Sequence, residues 1–152
     1  MSDKNITLLH NDLTETIIPC FYSVYNTLGF GFLEKVYENA MLREMEKRGL
    51  KAQSQYPIRV FYDGFAVGDY YADIVVEGKV IIELKASASI INDHILQLQN
   101  YLKATDFEVG LLLNFGTVPQ VRRKEYKNMH KPNLINVLQH NMDSEDLQLN
   151  KE

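Results

Sequence analysis

Cysteine occurs once, at Cys20, so no internal disulfide can form; that usage fits a reducing compartment. No cysteine–histidine cluster has the spacing of a structural zinc site. No apolar run reaches the length of a membrane span. The opening MSDKNITLLHNDLTE lacks the basic-then-apolar pattern of a secretory signal. A cytoplasmic chain with no membrane partner is the expectation. Repeats and low-complexity linkers are missing too, and 152 residues suffice for one domain with one core. An excess of positive charge is also missing. The net charge is −4, of which residues 143–152, DSEDLQLNKE, supply −3. The expected layout is a polar lead-in over 1–12, a single domain over 13–142, and an acidic disordered tail over 143–152.

What is present is ordered apolar patterning. In ETIIPCFYSVYNTLG, Ile17, Phe21, Val24 and Leu28 fall at helical spacing. Pro19 would be tolerated only in the first turn of that helix. Leu33, Val36, Tyr37, Ala40, Met41 and Met45 make the stripe of a second helix, with Gly49 as its stop. YPIRVFYDG, GDYYADIVV and KVIIELKAS read as three strands split by Asp63-Gly64 and by Gly78. ASIINDHILQLQNYLKAT is a helix with Ile91, Ile95, Leu98 and Leu102 on one side. FEVGLLLNFG is a strand apolar on both faces, as in a sheet interior. The basic run VRRKEYKNMHK (121–131) carries five Lys/Arg against one Glu and reads as one more strand, at an edge. It is either a solvated face or a phosphate-contacting strip. Helices and strands in this order predict an α/β fold with a central mixed sheet.

One stretch resists so plain an account. YYADIVVEGKVIIELKASA (70–88) is strongly apolar, yet it holds Asp73, Glu83 and Lys85. A hairpin centred on Gly78 pairs residues whose numbers sum to 156, through a three-residue turn. One face is then Tyr70, Ala72, Ile74 and Val76 against Val80, Ile82, Leu84 and Ala86. The other is Tyr71, Asp73 and Val75 against Ile81, Glu83 and Lys85. A slip of one residue would break this segregation, so the pattern itself argues for the register. It also sets two carboxylates opposite each other, roughly 5 Å apart at their roots, which is destabilising unless offset. Lys85 on the same face can offset it. So can a divalent cation, since Mg²⁺ takes one or two carboxylates and keeps waters as its other ligands. The plain alternative is a surface hairpin of mixed charge.

With those residues placed, the stretch resembles the core of the PD-(D/E)xK nuclease superfamily. Asp73 stands as its first acid and Glu83-Leu84-Lys85 as its E-x-K. Ala72 stands where the strict motif has proline. GFLEKVY (31–37) supplies Gly31, Glu34 and Tyr37, the pattern of the GxxExxY family, and the motifs follow in that family's order over residues 13–126. The resemblance implies a restriction-endonuclease-like core: a mixed sheet flanked by helices. It implies Mg²⁺ or Mn²⁺ held by Asp73, Glu83 and the Leu84 carbonyl, with Glu34 in or beside the shell. It implies a lysine, Lys85, that positions the attacking water, and a Gln97/Tyr101 pair that orients the lysine or a substrate phosphate. Nucleic acid, DNA ahead of RNA, is the implied partner, and a homodimer is compatible with it. The competing class is a binding module for nucleic acid or protein that keeps the charges without catalysis. His94, one turn before Gln97, reads as a surface or packing residue, and Tyr37 as packing.

Overall fold

The structure is a computed structural model, and it describes residues 8–135, 137–139, 141 and 142. The expected acidic tail over 143–152 lies outside the described residues. Helix α1 (Asn11–Leu28) begins inside the stretch expected as a lead-in and buries Ile17, Cys20, Phe21 and Val24. Pro19 sits in its interior, not in its first turn. An interior proline costs about 3 kcal/mol through a lost backbone hydrogen bond and a ring clash. Four buried apolar side chains, at roughly 1.5–3 kcal/mol for each large one, outweigh that cost. Tertiary burial therefore overrides the local rule. Helix α2 (Glu34–Lys47) buries Tyr37, Met41 and Met45 along the expected stripe.

Five strands form one sheet in the order β1 (Ala52–Tyr62), β2 (Phe65–Val76), β3 (Val80–Lys85), β4 (Val109–Phe115), β5 (Pro119–Glu125). All neighbours are antiparallel except β3 and β4. Those two run parallel because helix α3 (Asn92–Lys103) carries the chain back between them. The sheet is therefore mixed and flanked by helices, the expected α/β core. Asp63 and Gly64 both take left-handed backbone (φ 51° and 77°) and close β1 onto β2 as a two-residue hairpin. Glu77 and Gly78, at φ 53° and 61°, do the same for the three-residue turn between β2 and β3.

Helices α1 and α2 cover one face of the sheet, packing on Ile74, Val76, Ile82, Leu84, Leu111 and Leu113. Helix α3 covers the other, where Leu98 and Leu102 meet Val75, Ile81 and Leu112. The basic run of 121–131 does not form one strip. Val121 packs with the α1/α2 core, and on the same strand Arg123 reaches the Leu9 carbonyl and Glu125. Lys131 is buried, and its ammonium donates to the carbonyls of Thr105 and Phe107 just beyond α3. Burial lowers its pKa to about 8. Among the described residues no helix is long and apolar enough to cross a membrane.

Candidate active site

Strands β2 and β3 pair through Ile74–Ile82, Val75–Ile81 and Val76–Val80, the register in which numbers sum to 156. The ladder stops there. One step on, side chains replace the backbone bonds. The Asp73 N–H donates to Glu83 Oε1 at 3.1 Å, and the Leu84 N–H donates to Asp73 Oδ2 at 2.8 Å. The opposition of Asp73 and Glu83 is thus real, and each carboxylate is fixed by the other strand's main chain.

The other side of Asp73 is irregular too. Strand β1 pairs Ser54 with Ile74 and Tyr56 with Ala72 but skips Gln55 and Asp73. Gln55 has a left-handed backbone, φ 51°. At this point β2 changes faces. Ala72 packs on the α3 side with Val75 and Ile81, whereas Ile74 packs on the α1/α2 side. This corrects the strict alternation expected from the sequence, which placed Tyr70, Ala72, Ile74 and Val76 together. Tyr70 in fact lies half exposed against Tyr101 of α3. A residue in the left-handed region breaks the pleat locally, and a period-2 reading cannot cross it.

The electrostatics follow from burial. Glu83 is 3% exposed, and desolvation together with the Asp73 charge pushes its pKa up to about 8. Asp73, half buried, is also raised, by desolvation and by Glu38 and Glu34, against the hydrogen bond from Leu84. Lys85 ends β3 beside Asn114 of β4. It pulls both acids down, but by less than burial pushes them up, and among the described residues it makes no ion pair. The lysine therefore offsets the repulsion only in part.

Helix α2 brings Glu34 to the same place. Glu34 is the first residue of the helix and exposed; with Glu38, Gln55, Asp73 and Leu84 it lines a small cavity of about 260 Å³. Its neighbour one turn on, Glu38, is buried and was not singled out from sequence. Glu38 pairs with Lys35 and accepts from Gln55 Nε2 at 2.6 Å. The i, i+4 spacing of Glu34 and Glu38 on a helix was the available signal. Tyr37 packs as expected: its ring stacks on Phe115 at 4.0 Å, and its hydroxyl donates to the Gly29 carbonyl.

On α3, Gln97 Nε2 donates to the Tyr101 hydroxyl at 2.9 Å. The Tyr101 pKa is raised, first by burial and then by the charge on Glu83, which places that phenol within electrostatic reach of the acids. His94 accepts from the Ile91 N–H through Nδ1 at 3.3 Å, an exposed contact at the start of the helix. Another missed residue is Asn114, fully buried in an otherwise apolar strand. Its amide exchanges bonds with the Ser87 N–H and carbonyl, both 3.0 Å, and so fixes the chain just after Lys85. Gly116 permits this contact: a Cβ there would lie 2.4 Å from the Ser87 carbonyl oxygen. Gly116→Ala should cost about 1–3 kcal/mol in urea unfolding, because two backbones would have to separate.

A family model described as the PD-(D/E)XK nuclease superfamily matches residues 11–127, most of the chain. The chain belongs to the PD-(D/E)XK nuclease superfamily. The match runs from the start of α1 past the end of β5 and so takes in every strand. No curated protein matches. Among solved structures, the crystal structure of SSO0001 is similar at 18% identity and a TM-score of 0.50. That likeness covers 78% of this chain but only 60% of the other, and it bears on the fold alone.

As donors, the site residues suit a hard cation. Among the described residues no three or more His, Cys, Asp or Glu side chains gather closely enough to hold a metal by themselves. Two opposed carboxylates with raised pKa values do stand together, beside the Leu84 main chain. That inventory fits Mg²⁺ or Mn²⁺, which use one or two carboxylates and complete their shell with water and phosphate. It does not fit a caged structural ion.

Proposed function

We propose that this superfamily domain is a metal-dependent phosphodiesterase of nucleic acid, a member of the GxxExxY branch. The observation that carries the reading is the exchange between Asp73 and Glu83. Two carboxylates are held opposite each other, desolvated, with a lysine beside them that does not neutralise them. So costly an arrangement has a use when a cation completes it.

In this reading Asp73, Glu83 and the Leu84 carbonyl hold Mg²⁺ or Mn²⁺, with Glu34 in the shell or one water removed. The chemistry that such an ion would supply there is a lowered pKa for water and compensation of phosphate charge. Lys85, at the open end of β3, orients the attacking water and stabilises negative charge building on the phosphate. Tyr101, held by Gln97 and within electrostatic reach of Glu83, positions the phosphate or the lysine. The substrate is DNA in preference to RNA, the setting is the cytoplasm, and a homodimer is compatible with the free surfaces. In this reading the domain takes in the whole of α1, from Asn11, and so begins two residues before the bound of 13 expected from the sequence.

The test is to incubate the protein with labelled single- and double-stranded DNA and RNA, with Mg²⁺, Mn²⁺ or chelator. Cleavage that needs the metal is the expected outcome, and the polymer cut names the substrate. No cleavage, with no heat of Mn²⁺ binding by calorimetry, would leave a binding module.

A further inference from the structure

A groove of about 910 Å³ lies between the β1–β2 hairpin and α3, near the top of the usual range for ligand pockets. It shares Gln97 and Tyr101 with the candidate site. Its walls combine aromatic rings and amides with aliphatic side chains such as Val60, Val67 and Leu96. Tyr62 and Tyr70 present exposed rings at 73% and 50%, and the Tyr70 ring leans on Tyr101 at 5.7 Å. Gln97, Asn100 and Asn133 contribute amides. Formal charge is nearly absent, with Asp93 and Lys103 cancelling.

A groove without net charge does not select phosphate. Rings with amides between them suit flat heteroaromatic groups whose edges carry donors and acceptors, the chemistry of nucleobases. In a duplex those faces and edges are already stacked and paired, so only an unpaired strand can offer them. From this lining and from the Gln97–Tyr101 pair, whose phenol feels the charge of Glu83, we infer that the groove seats the bases of an unpaired nucleic-acid strand whose backbone crosses the Asp73–Glu83–Lys85 site. The inference rests on the nuclease reading and narrows its substrate to single-stranded or frayed nucleic acid. It also accounts for a nuclease with a net charge of −4: affinity comes from stacking more than from counterion release.

Fluorescence anisotropy in chelator tests this independently of cleavage. A labelled single-stranded oligonucleotide and a blunt duplex of equal length are titrated with the full chain, at several salt concentrations. The single strand should bind more tightly, with a shallow salt dependence. Tyr62→Ala and Tyr70→Ala should each weaken it about tenfold, and Tyr70→Phe should hold it. Tyr62 is so exposed that its loss leaves the core intact, which guards against a folding artefact at Tyr70. Equal binding of duplex and single strand, or full affinity in both alanine variants, would overturn the inference. So would sedimentation showing a wild-type dimer that the alanine variants dissolve, since the face would then belong to a second copy. The nuclease reading stands or falls separately, on cleavage by the wild type.

Discussion

Lys85→Ala should lower metal-dependent cleavage by about 10²–10³-fold, the usual loss when one group aimed at developing charge is removed. Mn²⁺ binding should survive in the same variant. Asp73→Ala should lose both. The split follows from where each group stands. Asp73 is tied into the sheet by the Leu84 N–H and faces Glu83, so removing it deletes one donor and unpins the other strand. Lys85 is half buried, ends its strand and has no ion-pair partner among the described residues, so removing it takes away a positive charge but breaks neither of the hydrogen bonds that fix the acids. Calorimetry with Mn²⁺ and a cleavage time course on the two variants decide the matter. Unchanged cleavage by Lys85→Ala would remove the lysine from the mechanism. Loss of Mn²⁺ binding in that variant would mean that it props up the site and does not act on the phosphate.

The hairpin register was legible because it rests on segregation of apolar and charged residues over several positions, and one-residue slips spoil it. The apolar stripe of α2 and the helix between β3 and β4 were legible for the same reason: long stripes with glycine or turn punctuation. What was not legible depends on backbone or partners distant in sequence. Residues 52–54, AQS, carry no alternation, yet they belong to β1, because pairing with Ile74, Val75 and Val76 holds them there. The face change at Asp73 turns on the left-handed Gln55, 18 residues away, and glutamine gives no local warning of such a backbone. Glu38 and Asn114 look like ordinary polar residues until the fold buries them. The split of the basic run has a simple cause. Side chains alternate on a strand, so a cluster in sequence need not be a patch in space.

The metal-free protein should lose stability as pH rises from about 4.5 through 8, by on the order of a few kcal/mol, and Glu83→Gln should flatten that loss. The sign comes from proton counts. Below the ordinary glutamate range both folded and unfolded chains hold the Glu83 proton, and there is no penalty. Between that range and 8 the unfolded chain releases its proton while the folded chain keeps it, since burial and the Asp73 charge oppose ionisation. The Glu83 contribution therefore falls with pH across this window and is constant above it. Glutamine keeps the size and an acceptor for the Asp73 N–H but cannot ionise, so the fall should shrink to the part that the raised Asp73 contributes. Mn²⁺ added at pH 8 should raise the melting temperature of the wild type and leave Glu83→Gln much less affected, because binding to the folded state alone stabilises it. The measurement is urea unfolding in chelator at several pH values, repeated with Mn²⁺. A wild-type curve that rises with pH would show that Glu83 is solvated or already compensated, and the pressure on this pair to take up a cation would be gone.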